Sequence, residues 1–135
     1  MSYGFSLSDI VSGIHSDLFG SFNPSQVADW IEQHTTINGQ PFSFVGREYQ
    51  RRILQSEAPT IVVKKCSQVG LSELALRRAL ALMDIIDGFQ AFYTLPTEVF
   101  AQKFAKARVD RVIETSPRLR SKLSKQVDSS SVKRI

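Results

Sequence analysis

Cysteine and histidine are almost missing from this chain: one thiol, Cys66, and two imidazoles, His15 and His34, occur among 135 residues. A single cysteine excludes an internal disulfide framework and fits a reducing compartment. So few sulfur and imidazole donors offer no zinc site, and no histidine lies near Cys66 in sequence to activate it as a nucleophile. Long apolar runs are missing too. No charge-free stretch reaches the ~20 residues that a membrane span requires. The first residues show no basic region followed by an apolar core, so no secretory signal is expected.

What is present is close to an average globular composition, with 42% hydrophobic and 22% charged residues, and a length that supports one small domain rather than two. The net charge of +4 conceals an asymmetry. From Ala101 onward there are ten Lys/Arg against three Asp/Glu, a net of +7, which leaves −3 over the first hundred residues. A basic end of this kind points to a polyanionic partner, although solvation of a helix surface would need the same residues.

The stretch IVVKKCSQVGLSE, residues 61–73, organises the reading. Three β-formers lead into a short polar turn that ends at Gly70, and a periodic helix opens at Ser72. Strand, turn, glycine, hydroxyl and helix is the outline of a phosphate-binding loop, because successive N–H groups converge there on one small volume. The pattern departs from G-x-x-x-x-G-K-[ST] at two places: Lys65 stands at the first glycine and Leu71 at the lysine. Any cation on the phosphates must then come from Lys65 or from Lys64. The competing reading is an ordinary β-to-α turn with Ser72 as the helix N-cap.

Around this stretch the elements follow from periodicity. Residues 8–19 have helical spacing. Asn23-Pro24-Ser25 starts a helix that carries Val27, Ala28, Trp30 and Ile31 on one face and ends near His34, with Trp30 a hydrophobic anchor. Asn38-Gly39 marks a turn. Residues 46–54 return to helical spacing, where Tyr49 could stack on a base and the Gln50 amide could read its edge; a surface helix with Tyr49 half buried is the plainer alternative. Strands are predicted over 60–63 and 89–95, with a largely apolar helix over 72–86 between them and Arg77 and Arg78 on its wet side. That order predicts an α/β fold: an incomplete, parallel βαβ core like that of P-loop NTPases, preceded by an N-terminal helical segment. A further helix, capped by Thr97, runs to about Thr115 and breaks at Ser116-Pro117; a short basic helix follows over 118–126. The organisation expected is a helical or linker segment over 1–40, a partial ATPase domain over 41–126 and a polar tail over 127–135. After Ile86 no run of four apolar residues leads into an acidic residue that could hold magnesium; Asp84 and Asp87 belong to the helix end. The chain therefore reads as the front portion of something larger.

With these residues laid out, the chain resembles the amino-terminal part of the ATPase domain of phage terminase large subunits, in the lambda-like branch. The residues that carry the resemblance are Tyr49-Gln50, the run Lys65-Cys66-Ser67-Gln68-Val69-Gly70-Leu71-Ser72, Leu95-Pro96-Thr97, and Ser116-Pro117-Arg118-Leu119. In that branch the loop lysine stands at the front, as Lys65 does here. The resemblance implies ATP as ligand, with Tyr49 and Gln50 beside the adenine and residues 65–72 on the phosphates. It places Ser72 on the nucleotide's Mg2+ and leaves Lys64 as a second cation. Many relatives carry an arginine inside the loop, where Ser67 and Gln68 stand here, so a catalytic arginine would have to come from elsewhere. It further implies double-stranded DNA, a terminase small subunit and the portal of the procapsid as partners, homo-oligomerisation, and residence in the host cytoplasm. Lys103, Arg108, Arg111, Arg118, Arg120 and Lys122 become candidates for contact with DNA or a neighbouring subunit, sequence-independent and salt-sensitive. Two rival readings stand beside this one: a fragment of a helicase-like ATPase, and a non-catalytic remnant that binds nucleic acid or a partner.

Overall fold

Asn23 and Pro24 start the first described helix as the sequence predicts. In the computed structural model, which describes residues 23–58 and 60–123, the Asn23 side chain accepts a hydrogen bond from the Ser25 amide at 2.9 Å. Proline stands in the first turn of α1, Pro24–His34, where its missing N–H costs nothing. Val27, Ala28, Trp30 and Ile31 form the buried stripe of α1. Thr35 then turns the chain out of the helix into a two-residue hairpin. Its strands β1, Thr36–Ile37, and β2, Gln40–Pro41, pair antiparallel, with Thr36 opposite Pro41. Asn38 and Gly39 both take positive φ, 52° and 77°, the backbone that a tight two-residue hairpin turn demands.

Beyond Phe42 and Phe44, both buried, come α2, Glu48–Leu54, and α3, Leu71–Ile85. Thr97 caps α4, Glu98–Phe104, accepting from the Phe100 amide at 3.2 Å. The same helix then widens into a π-helical segment, Ala105–Asp110, and continues as α5, Arg111–Thr115. Ser116 and Pro117 break it and start α6, Pro117–Lys122. The core lies where α1 crosses α3. Leu74, Leu76, Leu80, Ala81 and Leu82 of α3 meet the α1 stripe, and Val112, Ile113 and Leu119 close one side. Trp30, 6% exposed, is the anchor its position predicts.

The parallel βαβ core is not found. Among the described residues the sheet is the single two-stranded antiparallel hairpin β1–β2, and everything else regular is helical. Segments 60–63 and 89–95 carry β-prone residues, but no strand pairing joins them to each other or to any described element. Val62 and Phe92 are about nine-tenths exposed. Intrinsic β-preference only suits a residue to a pleated surface; the ladder itself needs an adjacent strand, and none of the described segments supplies one.

Two smaller expectations also change. Helix α3 begins at Leu71, with Gly70 in the cap position at φ 74° and no side-chain cap, so Ser72 lies inside the first turn and is not the N-cap. Arg77 is not on a wet face but 2% exposed. Its charge is accommodated by Glu73, by the Thr36 carbonyl at 2.8 Å, by the Thr35 hydroxyl at 3.3 Å and by the Phe42 ring face 5.0 Å away. A buried guanidinium is tolerable only with its donors satisfied in this way. The helix expected over 8–19 and the polar tail over 127–135 lie outside the described residues, as does the end of the basic helix expected over 118–126.

Asp84 joins three helices at one carboxylate. Its side chain is inaccessible to solvent. Oδ2 accepts from the Trp30 indole N–H of α1 at 2.7 Å and from Arg118 Nε of α6 at 2.5 Å. Lys122 of α6 lies 2.6 Å from Oδ1 and donates to the Asp84 carbonyl at 3.2 Å. Burial pushes the Asp84 carboxyl up, but the bonds from Lys122, Arg118 and Trp30 outweigh it and hold it below its ordinary value of 3.8. A depressed carboxylate contributes stability that is full above pH 3.8 and is lost as pH falls through its lower folded value. Asp84→Asn, which keeps the shape and removes the charge, should lower unfolding free energy by on the order of 2–3 kcal/mol at neutral pH. Urea titrations of both proteins should show that difference constant near neutrality and narrowing below pH 3.8. A difference that grows on acidification would contradict this assignment.

Candidate functional site

The turn between segment 60–63 and α3 is held from one side by α2. Tyr49 and Gln50 are neighbours in its first turn, 20 and 19 positions before Val69. The Tyr49 hydroxyl donates to the Val69 carbonyl at 2.6 Å, and Gln50 Nε2 donates to the same oxygen at 2.9 Å. Gln50 Nε2 also lies 3.2 Å from the Tyr49 hydroxyl, closing a small triangle. Gln50 is buried, 2% exposed, whereas Tyr49 keeps 44% of its surface in solvent. The pair therefore has a structural task besides any contact with a base: it fixes the carbonyl immediately before Gly70.

Fixing Val69 shapes the rest of the turn. Gln68 and Gly70 both take left-handed backbone angles, φ 61° and 74°, so left-handed residues alternate with others just before α3. Where left-handed residues alternate with right-handed ones, successive amide N–H groups converge on one concave side. Gly70 has a further requirement. A Cβ built there would meet Gln50 Nε2 at 2.8 Å, so the clamp and the glycine depend on each other.

Lys64, Lys65, Cys66, Ser67 and Gln68 are exposed, Val69 and Leu71 are half buried, and the Ser72 hydroxyl-bearing residue is exposed in the first turn of α3. Lys65 Nζ lies 3.4 Å from the Cys66 carbonyl, so the ammonium folds back over the turn. Cys66 is a free, exposed thiol. Beside the turn opens a cavity of about 600 Å³, lined among others by Ile61, Lys65, Ser72, Arg78 and Tyr93, a volume in the usual range for a small-molecule site.

On the other side of Ser72 stands a cluster that sequence reasoning did not assign to the site. Glu73, the next residue, pairs with both Arg77 and Arg108. Burial pushes its carboxyl up, but the bonds and charge of Arg77, followed by those of Arg108, hold it below the usual carboxylate range. The Glu73–Arg77 spacing of four was a visible helical ion-pair signal; the approach of Arg108, 35 positions away, was not. The other basic candidates divide. Arg118 and Lys122 are engaged by Asp84, each with 45% of its side chain exposed, while Lys103, Arg111 and Arg120 are exposed.

Among the described residues no group of three or more His, Cys, Asp or Glu side chains gathers to hold a metal. Ser72 can offer at most one oxygen, which suits an ion whose other ligands come with a phosphate rather than from the protein. No described helix is long and apolar enough to cross a membrane.

Comparison with known proteins adds one finding to this geometry. Residues 40–135 match the family model described as phage terminase large subunit gpA, ATPase domain. No match was found among curated proteins or among solved structures.

The clamp makes a measurable claim about stability. Gly70→Ala should cost about 1–2 kcal/mol for its left-handed backbone alone, and more because Gln50 must withdraw. In a Gln50→Ala background the same substitution should cost less, so a double-mutant cycle from urea unfolding should give a coupling of about 1 kcal/mol. Purely additive costs would show that Gln50 and Gly70 do not touch.

Proposed function

We propose, because this chain belongs to the phage terminase large-subunit ATPase-domain family, that Tyr49, Gln50 and residues 64–72 form its nucleotide site, and that the nucleotide is ATP with Mg2+. One observation carries the proposal: two short motifs far apart in sequence meet at the Val69 carbonyl. Family membership supports nucleotide binding in general terms. The meeting of the motifs supports this particular place for it.

The residues then divide the work by their chemistry. The half-exposed Tyr49 ring offers a face for the base, while the buried Gln50 serves the site through the loop, by holding the Val69 carbonyl. Amides of residues 66–71 face the phosphates, aided by the N-terminus of α3. Lys65 swings from the Cys66 carbonyl to the phosphates, with Lys64 as the second ammonium. Ser72 contributes one oxygen to the Mg2+ that arrives with the nucleotide, and that ion supplies charge neutralisation of the phosphates.

The wider role follows the family. ATP hydrolysis in the assembled motor drives double-stranded DNA into a procapsid in the host cytoplasm, with a small subunit, a portal and further copies of the large subunit as partners. Exposed Lys103, Arg111 and Arg120 suit phosphate contact with DNA or with a neighbouring subunit. Arg118 and Lys122 contribute less to that contact, because Asp84 already holds them.

Isothermal titration of the 135-residue chain with magnesium-ATP tests the site. Binding in about the micromolar range is expected for the wild type and should be lost, by about tenfold or more, in Lys65→Ala. No binding by the wild-type chain would remove the nucleotide site from this proposal. Unchanged binding by Lys65→Ala would take the cation away from the front of the loop.

A further inference from the structure

The cluster at Glu73 has more positive charge than its carboxylate can neutralise. Two guanidiniums, Arg77 and Arg108, share one carboxylate, which leaves one net positive charge at the N-terminal turns of α3. The two arginines are not equivalent. Arg77 is buried and committed to Thr35, Thr36 and the Phe42 ring as well as to Glu73. Arg108 keeps 45% of its side chain in solvent. Its polar contact is with Glu73, and its stem runs along the Phe104 ring, with the guanidinium 5.7 Å from the ring centre. It can leave Glu73 without uncovering a buried charge, since Arg77 would still satisfy that carboxylate.

Arg108 also stands on the π-helical segment, Ala105–Asp110. Such an insertion sacrifices regular helical hydrogen bonding and rotates the residues beyond it, and these segments are commonly retained where a side chain must be aimed. Beyond Lys64 and Lys65 at its front, residues 66–72 of the loop bring no positive charge. We propose that Arg108 is a phosphate-binding residue of the nucleotide site, held in reserve by Glu73 and transferred to a phosphate oxygen when the nucleotide binds. This rests on the nucleotide site argued above and adds to it a cation delivered from a different helix. Glu73 is then a positioning residue: it holds the arginine close while the site is empty, and competes with the phosphate for it.

The competition gives a test with opposite signs. Magnesium-ATP is titrated calorimetrically into the full chain and into Arg108→Ala, Arg108→Lys and Glu73→Gln, with thermal unfolding recorded for each. Arg108→Ala should weaken binding by about tenfold or more, the value of one charge-assisted hydrogen bond. Arg108→Lys should recover part of the loss. Glu73→Gln, which still accepts from Arg77 but releases Arg108, should bind as tightly as the wild type or more tightly. If Arg108 only braces the fold through Glu73, Glu73→Gln and Arg108→Ala will weaken binding alike, and the inference is overturned. It is overturned equally if Arg108→Ala binds like the wild type, and in both cases wild-type binding leaves the nucleotide site standing. Absence of binding by the wild type removes the site and this inference together.

Discussion

A carboxylate without access to solvent is the constraint on which the described fold depends. Asp84 brings its charge into the space between α1, α3 and α6, where desolvation alone would favour neutralising it. Trp30, Arg118 and Lys122 must therefore all be in place at once. A tryptophan indole from α1 and two cations from α6 thus find the same partner. The apolar contact of α1 with α3 supplies most of the driving force, but it is non-directional. The Asp84 contacts choose how the helices are oriented upon one another.

A second buried charge works on the opposite end of α3. Arg77 ties the first turns of that helix to the hairpin through Thr35 and Thr36, and to the core through Phe42. Its partner Glu73 reaches out to Arg108 on the α4–α5 helix. The helix that follows the candidate phosphate loop is consequently fixed at both ends by charge, with an apolar middle. A loop that must present its amides in one direction benefits from a helix that cannot tilt. The Gln50–Val69 bond completes that restraint from α2.

This arrangement bears on the proposed nucleotide site. Lys65 and Arg108 are each parked on a weak or exchangeable partner, the Cys66 carbonyl and the Glu73 carboxylate. Gln50, by contrast, is buried and holds the Val69 carbonyl. A site built with a rigid carbonyl clamp and movable cations is preorganised in backbone and adjustable in charge. Preorganised backbone limits the ordering cost of binding, and the cations need only exchange one oxygen partner for another.

Much of this could be read from residues alone. Asn23-Pro24, Asn38-Gly39, Thr97 and Ser116-Pro117 set helix starts, the hairpin turn and the helix break, because capping and turn chemistry are local and need only near neighbours. The Trp30 anchor and the family followed from short patterns for the same reason. The parallel sheet did not follow: residues 60–63 and 89–95 have the composition of strands, but pairing is a property of two segments and no local rule supplies the second. The burial of Arg77 was equally invisible, since a charged residue goes inside only when distant groups, here Thr35, Thr36 and Phe42, are brought to its donors. Sequence by itself determined where the described helix starts and turns fall and to which family the chain belongs. Tertiary structure alone decided which charges are buried, that Gln50 grips Val69, and that Arg108 reaches Glu73, because each of those depends on long-range contacts that sequence spacing does not encode.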